Sequence, residues 1–261
     1  MNGTSLSRHD LDGLALFQSV LARPQLAGCT SQIDAQYVVL ETARQEDRPA
    51  AASRLVAPGQ QFVPTASSFT LGAILSDETL GILLAGMSAG SAGEWIQDEL
   101  QGPAACDLDQ AWVRRQYAPR HYPPLHAPHG WHQDGALGFD FLSQGDGDFP
   151  PGAMLSMVTC WIALNSCGVE SPGVELVTRR FEGLLAPTDL AAERVRARFA
   201  PEQFWRPAME PGDALLFRGD VLHRTHVTPA MTKNRTSIEL RFFPANNLPA
   251  RLKNDRFTAM V

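Results

Sequence analysis

The feature that most constrains the fold is a series of short apolar runs in the second half of the chain. They are separated by Pro, Gly, Asp and Asn and comprise Ala111–Tyr117, Met154–Leu164, Val174–Val177, Ala214–Phe217, Val221–Val227 and Thr236–Phe243. Short strands at intervals are typical of a sandwich or barrel rather than of βαβ units. One helix-like insertion, Leu190–Phe199, interrupts the series. We therefore predict a β core of the jelly-roll type over residues 111–244.

The first 110 residues have a different pattern. Leu11–Leu21 carries apolar residues near helical spacing, and Asp77–Met87 and Ser91–Leu100 read as further short helices. Gln36–Ala43 fits either a strand or the start of a helix. We predict a single domain over residues 1–261, with a mostly helical support (1–110), the β core (111–244) and a C-terminal tail (245–261).

Composition excludes several classes of protein. The 261 residues are 44% apolar, which is enough for a sizeable core. The most apolar segment, residues 79–93, is too short and too rich in glycine to span a membrane, and the N-terminus lacks the apolar core of a signal peptide. A net charge of −6 without a block of Lys or Arg argues against a nucleic-acid or anionic-membrane partner.

The four cysteines indicate the compartment. Cys29, Cys106, Cys160 and Cys167 form no C-x-x-C pair and match no zinc module. We expect reduced, mostly buried thiols in a cytoplasmic protein.

A possible metal site begins at His132-x-Asp134. On a strand, residues i and i+2 point to the same face, so an imidazole and a carboxylate would stand side by side. They are two-thirds of the 2-His-1-carboxylate triad of non-haem iron oxygenases. Taken alone, this H-x-D spacing is a weak signal, because the chain has seven histidines and many aspartates.

A third ligand is available far downstream, at His223. A Pro-Gly turn, a strand and a Gly/Asp turn lead into a second strand that carries this histidine. His226, three residues later, should face the opposite side of the strand and is the less favoured candidate. His121, His126 and His129 precede the H-x-D motif in a proline-rich segment, which we interpret as an irregular loop rather than a separate zinc site.

Arg235 and Ser237 form a candidate carboxylate clamp. They share a strand face by the same alternation, and a guanidinium with a hydroxyl suits a carboxylate. A dicarboxylate co-substrate would chelate the metal at one end and meet Arg235 at the other.

This ordered set of motifs resembles the phytanoyl-CoA dioxygenase family of iron(II)- and 2-oxoglutarate-dependent oxygenases. The resemblance covers roughly residues 112–244 and rests on His132-x-Asp134, Trp161-Ile162-Ala163-Leu164, Gly212-Asp213 with Phe217 and His223, and Arg235-x-Ser237. It implies a double-stranded β-helix, or jelly roll, flanked by helices. It also implies the co-substrates 2-oxoglutarate and O2 and release of succinate and CO2.

The resemblance also assigns residues. His132, Asp134 and His223 would bind iron, and Arg235 with Ser237 would bind the distal carboxylate of 2-oxoglutarate. Further co-substrate contacts would come from Trp161, Thr225 and Gln116, with the register at Gln116 open by about two residues. Because related halogenases lack the carboxylate, an intact Asp134 favours hydroxylation, or desaturation or ring chemistry.

The substrate site is less constrained by sequence. Arg241 shares the Arg235 face and either holds an anionic substrate group or forms a salt bridge with Glu239 or Asp213. Trp131 and Phe139 flank the motif and line the substrate pocket or pack in the core. The chain departs from the family pattern at residues 165–173 and in a longer segment at 138–152, where family members meet substrates. We expect a small, biosynthetic substrate.

Two other classes of protein remain open. One is a cupin-like metalloenzyme that does not use 2-oxoglutarate, and the other is a non-catalytic jelly-roll module that binds a ligand. The Arg235-x-Ser237 pair argues against the first, which needs no clamp for a distal carboxylate. The intact triad and clamp argue against the second, since nothing would keep all four residues in such a module.

Overall fold

The computed structural model describes residues 11, 13–45, 61–72, 74–108, 111–122, 128–136, 154–181, 183–248 and 257–260. In these residues the chain forms twelve strands and four α-helices. The helices are α1 (Arg23–Gln45), α2 (Asp77–Ser88), α3 (Ser91–Glu99) and α4 (Ala192–Arg198). The strands are β1 (Leu14–Phe17), β2 (Gln61–Pro64), β3 (Ser68–Gly72), β4 (Ala104–Asp107), β5 (Trp112–Gln116), β6 (Val158–Ala163), β7 (Gly173–Val177), β8 (Phe204–Trp205), β9 (Ala214–Arg218), β10 (His223–His226), β11 (Arg235–Pro244) and β12 (Phe257–Ala259).

The strands form two antiparallel sheets. The large sheet has the order β1-β9-β6-β11-β5-β3-β2, and β4 and β12 extend it beside the end of β11. The small sheet has the order β10-β7-β8. Residues of both sheets, among them Trp161, Phe217, Val174 and Leu176, pack in one apolar cluster. The sheets therefore face each other, in the two-layer arrangement predicted for a jelly roll.

The main hydrophobic core lies on the opposite face of the large sheet, under the N-terminal helices. Ile238, Leu240 and Phe242 of β11 pack there with residues of α1, α2 and α3. Because strand residues alternate between faces, Arg235, Ser237, Glu239 and Arg241 point towards the small sheet. The helix-facing side chains of β11 thus anchor the N-terminal helices to the large sheet.

A third layer covers the outer face of the small sheet. Trp131 packs there with Val177 of β7, Val195 of α4 and neighbouring aromatic residues. Glu175, on the same outer face, is fully buried and accepts hydrogen bonds from Arg206 and Arg224. These contacts fix the small sheet, which carries His223, against its surroundings.

Most predicted elements are confirmed. All six apolar runs contain a strand, helices occur at Asp77–Ser88, Ser91–Glu99 and Ala192–Arg198, and Gln36–Ala43 lies within α1. The helix predicted at Leu11–Leu21 is wrong, because Leu14–Phe17 is a strand paired with β9. Both of its faces are buried, so its apolar residues are continuous and do not alternate with polar ones.

The predicted division of the chain needs one adjustment. Strands β1 to β4 all lie within residues 1–110, for which the sequence predicts mostly helix, and β12 lies in the predicted tail. The large sheet is thus built from both ends of the chain. That the whole chain is one domain stays a prediction.

Two further sequence predictions concern cysteines and membrane segments. Cys29, Cys106, Cys160 and Cys167 are unpaired and buried, as expected. Among the described residues, no helix is long and apolar enough to cross a membrane.

Candidate metal centre

The H-x-D motif lies between the two sheets and is held by backbone pairing with the distal histidine. His132 and His223 exchange two backbone hydrogen bonds, at 2.9 and 3.0 Å. The strand predicted for the motif is reduced to this single pair, and Asp134 begins a 3-10 turn, Asp134–Ala136. One backbone pair therefore brings together ligand candidates 91 residues apart in sequence (223 − 132).

The three predicted ligand residues converge on one point. Oδ1 of Asp134 lies 3.6 Å from Nε2 of His132 and 3.7 Å from Nε2 of His223. One potential ligand atom of each residue lies within 4.8 Å of the others, and no other such cluster of at least three His, Cys, Asp or Glu residues occurs among the described residues. The arrangement is the 2-His-1-carboxylate triad that the sequence predicts. His226 is not part of it.

Backbone carbonyls set the tautomer of both histidines. Nδ1 of His132 lies 2.8 Å from the carbonyl oxygen of Gly130, and Nδ1 of His223 lies 3.0 Å from that of Val221. Because a carbonyl oxygen only accepts, each Nδ1 donates a proton. The lone pair of each neutral ring is then on Nε2, which faces Asp134, as metal ligation requires.

The electrostatics favour the protonation states that a divalent cation needs. Burial and the neighbouring His223 lower the pKa of His132 to about 4. Burial lowers the pKa of His223, against the opposing effect of Asp134. Burial alone would raise the pKa of Asp134, but His223, Arg241 and His132 outweigh it and hold that pKa below its usual value. At neutral pH the site therefore presents one carboxylate and two neutral imidazoles.

Two polar side chains that sequence reasoning missed support the motif. Thr159 of β6 donates a 2.6 Å hydrogen bond to Oδ2 of Asp134. Gln133, between the two ligand candidates, donates to the carbonyl oxygens of Gly183 and Asp220 and accepts from the backbone N–H of Leu185. Gln133 thus ties the motif to the loop after β7 and to the turn before His223.

A cavity of about 240 Å³ opens beside the triad. Its walls come from both sheets and from the H-x-D segment, and the large-sheet wall is strongly charged. The described lining residues are Arg114, His129, His132, Gln133, Asp134, Ala136, Thr159, Trp161, Val174, Leu185, Leu190, Phe217, His223, Arg224, Thr225, Arg235, Glu239 and Arg241.

Arg235 lies at the inner part of this cavity and is 1% exposed. Its guanidinium lies 4.8 Å from the ring centre of Trp161 and donates one 3.3 Å hydrogen bond to the carbonyl oxygen of Gly173. None of the described carboxylates forms an ion pair with it, and its Nε and the buried Oγ of Ser237 have no hydrogen-bond partner. Burial, and then the nearby Arg114, lower the pKa of Arg235 to about 10. A buried cation of this kind needs an anion.

The remaining predicted co-substrate residues divide into two groups. Trp161 and Thr225 line the cavity. Gln116 does not, because its amide donates to the carbonyl oxygen of Ser67 at 2.7 Å. Arg114, two residues earlier on the same strand face, lines the cavity instead, within the two-residue register that the sequence leaves open. Ser237 shares the face of Arg235 but is absent from the cavity wall.

The predicted substrate residues also divide. Arg241 lines the cavity, and its Nη2 lies 3.9 Å from Oδ1 of Asp134. Trp131 is in the outer cluster with Phe204, so its packing role is the one observed. Phe139 lies outside the described residues. His129, expected in an irregular loop, also lines the cavity, and its ring lies 3.9 Å from that of His132 with a tilt of 42°.

Comparisons with known proteins give the fold and no sequence family. No protein-family model matches the chain, and no curated protein matches it in sequence. The epimerase SnoN, solved with Fe3+, alpha-ketoglutarate and nogalamycin RO, has a TM-score of 0.59 at 17% identity, covering 96% of this chain and 95% of its own. The carbocyclase SnoK from nogalamycin biosynthesis has a TM-score of 0.60 at 13% identity, covering 96% and 93%.

A third similar structure is HygX from Streptomyces hygroscopicus, solved with nickel, 2-oxoglutarate and hygromycin B. Its TM-score is 0.55 at 12% identity, covering 97% of this chain and 94% of its own. The chain therefore has the jelly-roll fold of non-haem, 2-oxoglutarate-dependent enzymes over nearly its whole length. At these identities the comparisons show the fold alone.

Proposed function

We propose that this protein is an iron(II)- and 2-oxoglutarate-dependent oxygenase that oxidises an unactivated C–H bond of a small molecule. The single observation that carries the proposal is the buried, unneutralised guanidinium of Arg235 in the same cavity as the His132–Asp134–His223 triad. A jelly-roll enzyme that binds only a metal has no need of this charge. A dicarboxylate that reaches from the metal to Arg235 supplies the missing anion.

The donor set fits ferrous iron. Two neutral imidazoles and one carboxylate would hold the ion and would leave its other coordination positions open for the co-substrates. His132, Asp134 and His223 would hold the metal, which, with 2-oxoglutarate and O2, oxidises the substrate and releases succinate and CO2.

The protein groups bind and orient the reactants. Arg235 would receive the distal carboxylate of 2-oxoglutarate as a bidentate partner, and Ser237 Oγ is a hydroxyl without a partner on the same strand face. The Trp161 ring and Phe217 exclude water from the inner cavity. Arg114, whose side chain also enters the cavity, is a further anion contact in place of Gln116. Thr225 completes the wall on the small sheet.

The substrate is expected to enter beside the triad, where Arg241 and Glu239 line the wall. Burial would raise the pKa of Glu239, but Arg114 and Arg241 outweigh it and lower that pKa, so a carboxylate lies between two guanidiniums. Such a wall suits a polar small molecule, with Arg241 as the contact for an anionic group. Fold neighbours from nogalamycin biosynthesis support a natural-product intermediate.

The intact Asp134 supports hydroxylation as the outcome, while SnoN and SnoK, an epimerase and a carbocyclase, show that the same fold serves other reactions. The phytanoyl-CoA dioxygenase family is our proposed assignment for the chain. A cytoplasmic location is proposed from the four unpaired, buried cysteines.

The decisive test is anaerobic addition of Fe(II) and then 2-oxoglutarate. We expect a visible charge-transfer band in the wild type that is absent in Asp134→Ala, which should also produce no succinate. Arg120→Gln, a change at an exposed arginine, is the matched control and should retain the band. Absence of the band in the wild type would favour a metalloenzyme that does not use 2-oxoglutarate.

A further inference from the structure

The carboxylate of Asp134 has two oxygens in different surroundings. Oδ1 faces Nε2 of both imidazoles, at 3.6 and 3.7 Å. Oδ2 accepts a hydrogen bond from Oγ1 of Thr159 at 2.6 Å. That length is typical of a hydroxyl bound to an ionised carboxylate, which is about twice as strong as a neutral hydrogen bond.

Thr159 is held rigidly where it makes this contact. On β6 it pairs with Phe217 on one side and Arg241 on the other, and it is 2% exposed. Its strand neighbour Cys160 faces the helical core, whereas Thr159 faces the cavity. A β-branched side chain on a central strand has a restricted χ1, so the hydroxyl cannot easily swing away.

We propose that Thr159 is a positioning residue that presents Oδ1 of Asp134 to the metal and withholds Oδ2. This inference rests on the proposed function. With Oδ2 engaged, Asp134 supplies one ligand atom rather than two. Three protein atoms would then hold the ion, and its remaining coordination positions would stay open for 2-oxoglutarate and O2.

A purely structural role for the hydroxyl makes different predictions. If Thr159 only satisfies a buried carboxylate, its loss lowers stability and leaves metal binding unchanged. If it selects the ligand oxygen, its loss lowers metal affinity and changes the coordination of the ion. Metal affinity falls about 10- to 100-fold when a residue that orients a ligand is removed.

The experiment compares Thr159→Val with Thr159→Ser, using Ni(II) and Co(II) as probes. Valine keeps the shape and removes the hydroxyl, while serine restores the donor. Titration gives the affinity, and the visible absorption of bound Co(II) reports how many ligands surround it. Thr236→Val is the matched control, because it removes a hydroxyl that accepts from Arg115 Nε at 3.1 Å on the other face of β11.

We expect Thr159→Val to bind Co(II) about 10- to 100-fold more weakly with an altered spectrum. Thr236→Val should match the wild type, and Thr159→Ser, which restores the donor without the β-branch, should lie closer to the wild type than Thr159→Val does. Wild-type affinity and spectrum in Thr159→Val overturn this inference and leave the proposed function standing. A wild type that binds neither Ni(II) nor Co(II) overturns both.

Thr159→Ala serves if the valine variant does not fold. Alanine removes the hydroxyl and adds no group that binds metal, so the same direction of change is expected. Wild-type affinity and spectrum for Co(II) in Thr159→Ala overturn the inference in the same way.

Discussion

Replacing Arg235 with methionine should make the ligand-free protein more stable while removing its affinity for 2-oxoglutarate. Burial, and then Arg114, lower the pKa of Arg235 from 12.5 to about 10. At 1.36 kcal/mol for each pKa unit, the buried charge lowers the free energy of unfolding of the ligand-free protein by about 3 kcal/mol at neutral pH. Methionine retains the apolar volume. It removes the hydrogen bond to Gly173 and the contact with the Trp161 ring, and this loss lowers the free energy of unfolding by about 1–2 kcal/mol.

The net gain is then about 1–2 kcal/mol, which raises Tm by roughly 2–8 °C in a protein of this size. The affinity for 2-oxoglutarate changes in the opposite direction and becomes weaker. Loss of one partner of a buried, hydrogen-bonded charge pair costs about 2–5 kcal/mol. The Kd for 2-oxoglutarate should therefore rise by about 30- to 5,000-fold.

Thermal unfolding with and without 2-oxoglutarate, in the presence of Ni(II), measures both effects. The wild type should gain Tm with 2-oxoglutarate, and Arg235→Met should start higher and gain much less at the same concentration of 2-oxoglutarate. Arg120→Met should behave as the wild type. A methionine variant that is less stable than the wild type without ligand, or that retains its response to 2-oxoglutarate, refutes the reasoning.

Two further predictions concern the supports around the site. Gln133→Leu leaves Gly183, Leu185 and Asp220 without their side-chain partner and should cost about 2–4 kcal/mol in urea denaturation; a cost under about 0.5 kcal/mol contradicts the bridging role. Glu175→Gln should cost about 1–3 kcal/mol at pH 7. Burial alone would raise the pKa of Glu175, but Arg206 and Arg224 lower it below 4.5, so its contribution is present above pH 4.5 and is lost as the pH falls through the lower folded value. The difference between wild type and variant should therefore shrink in acid, and a constant difference argues against this coupling.

How far the sequence predicts the fold depends on whether a segment has one buried face or two. The alternation in β11 is visible in the sequence, because Ile238 and Leu240 face a core while Arg235 and Glu239 face a cavity. Leu14–Phe17 is buried on both faces, so its continuous apolar run does not distinguish a strand from a helix. Its pairing with β9, some 200 residues away, is a tertiary fact that local spacing does not contain.

In the candidate site, too, some features can be predicted from the local sequence and others appear only in the folded chain. The H-x-D spacing and the strand pattern around His223 predict the ligand candidates, but Asp134 begins a 3-10 turn instead of continuing a strand. The fold brings His132, Asp134 and His223 together. The role of Thr159 could not be predicted from the sequence, because nothing near a threonine in an apolar strand indicates that it binds Asp134, 25 residues away. Arg114 could have been found from Gln116, since both occupy one face of β5 two residues apart.

The alternation of β11 also has a consequence for how this protein can change. On β11, the side chains at odd-numbered positions from 235 to 241 face the cavity side. Ile238, Leu240 and Phe242, on the other face of the same strand, pack against the N-terminal helices. On the proposed function, substitutions at Glu239 and Arg241 alter substrate preference and leave the anchoring side chains unchanged. A combinatorial library at these two sites should therefore vary both together, because Glu239 is a buried carboxylate beside Arg114 and an unbalanced change leaves a charge unpaired.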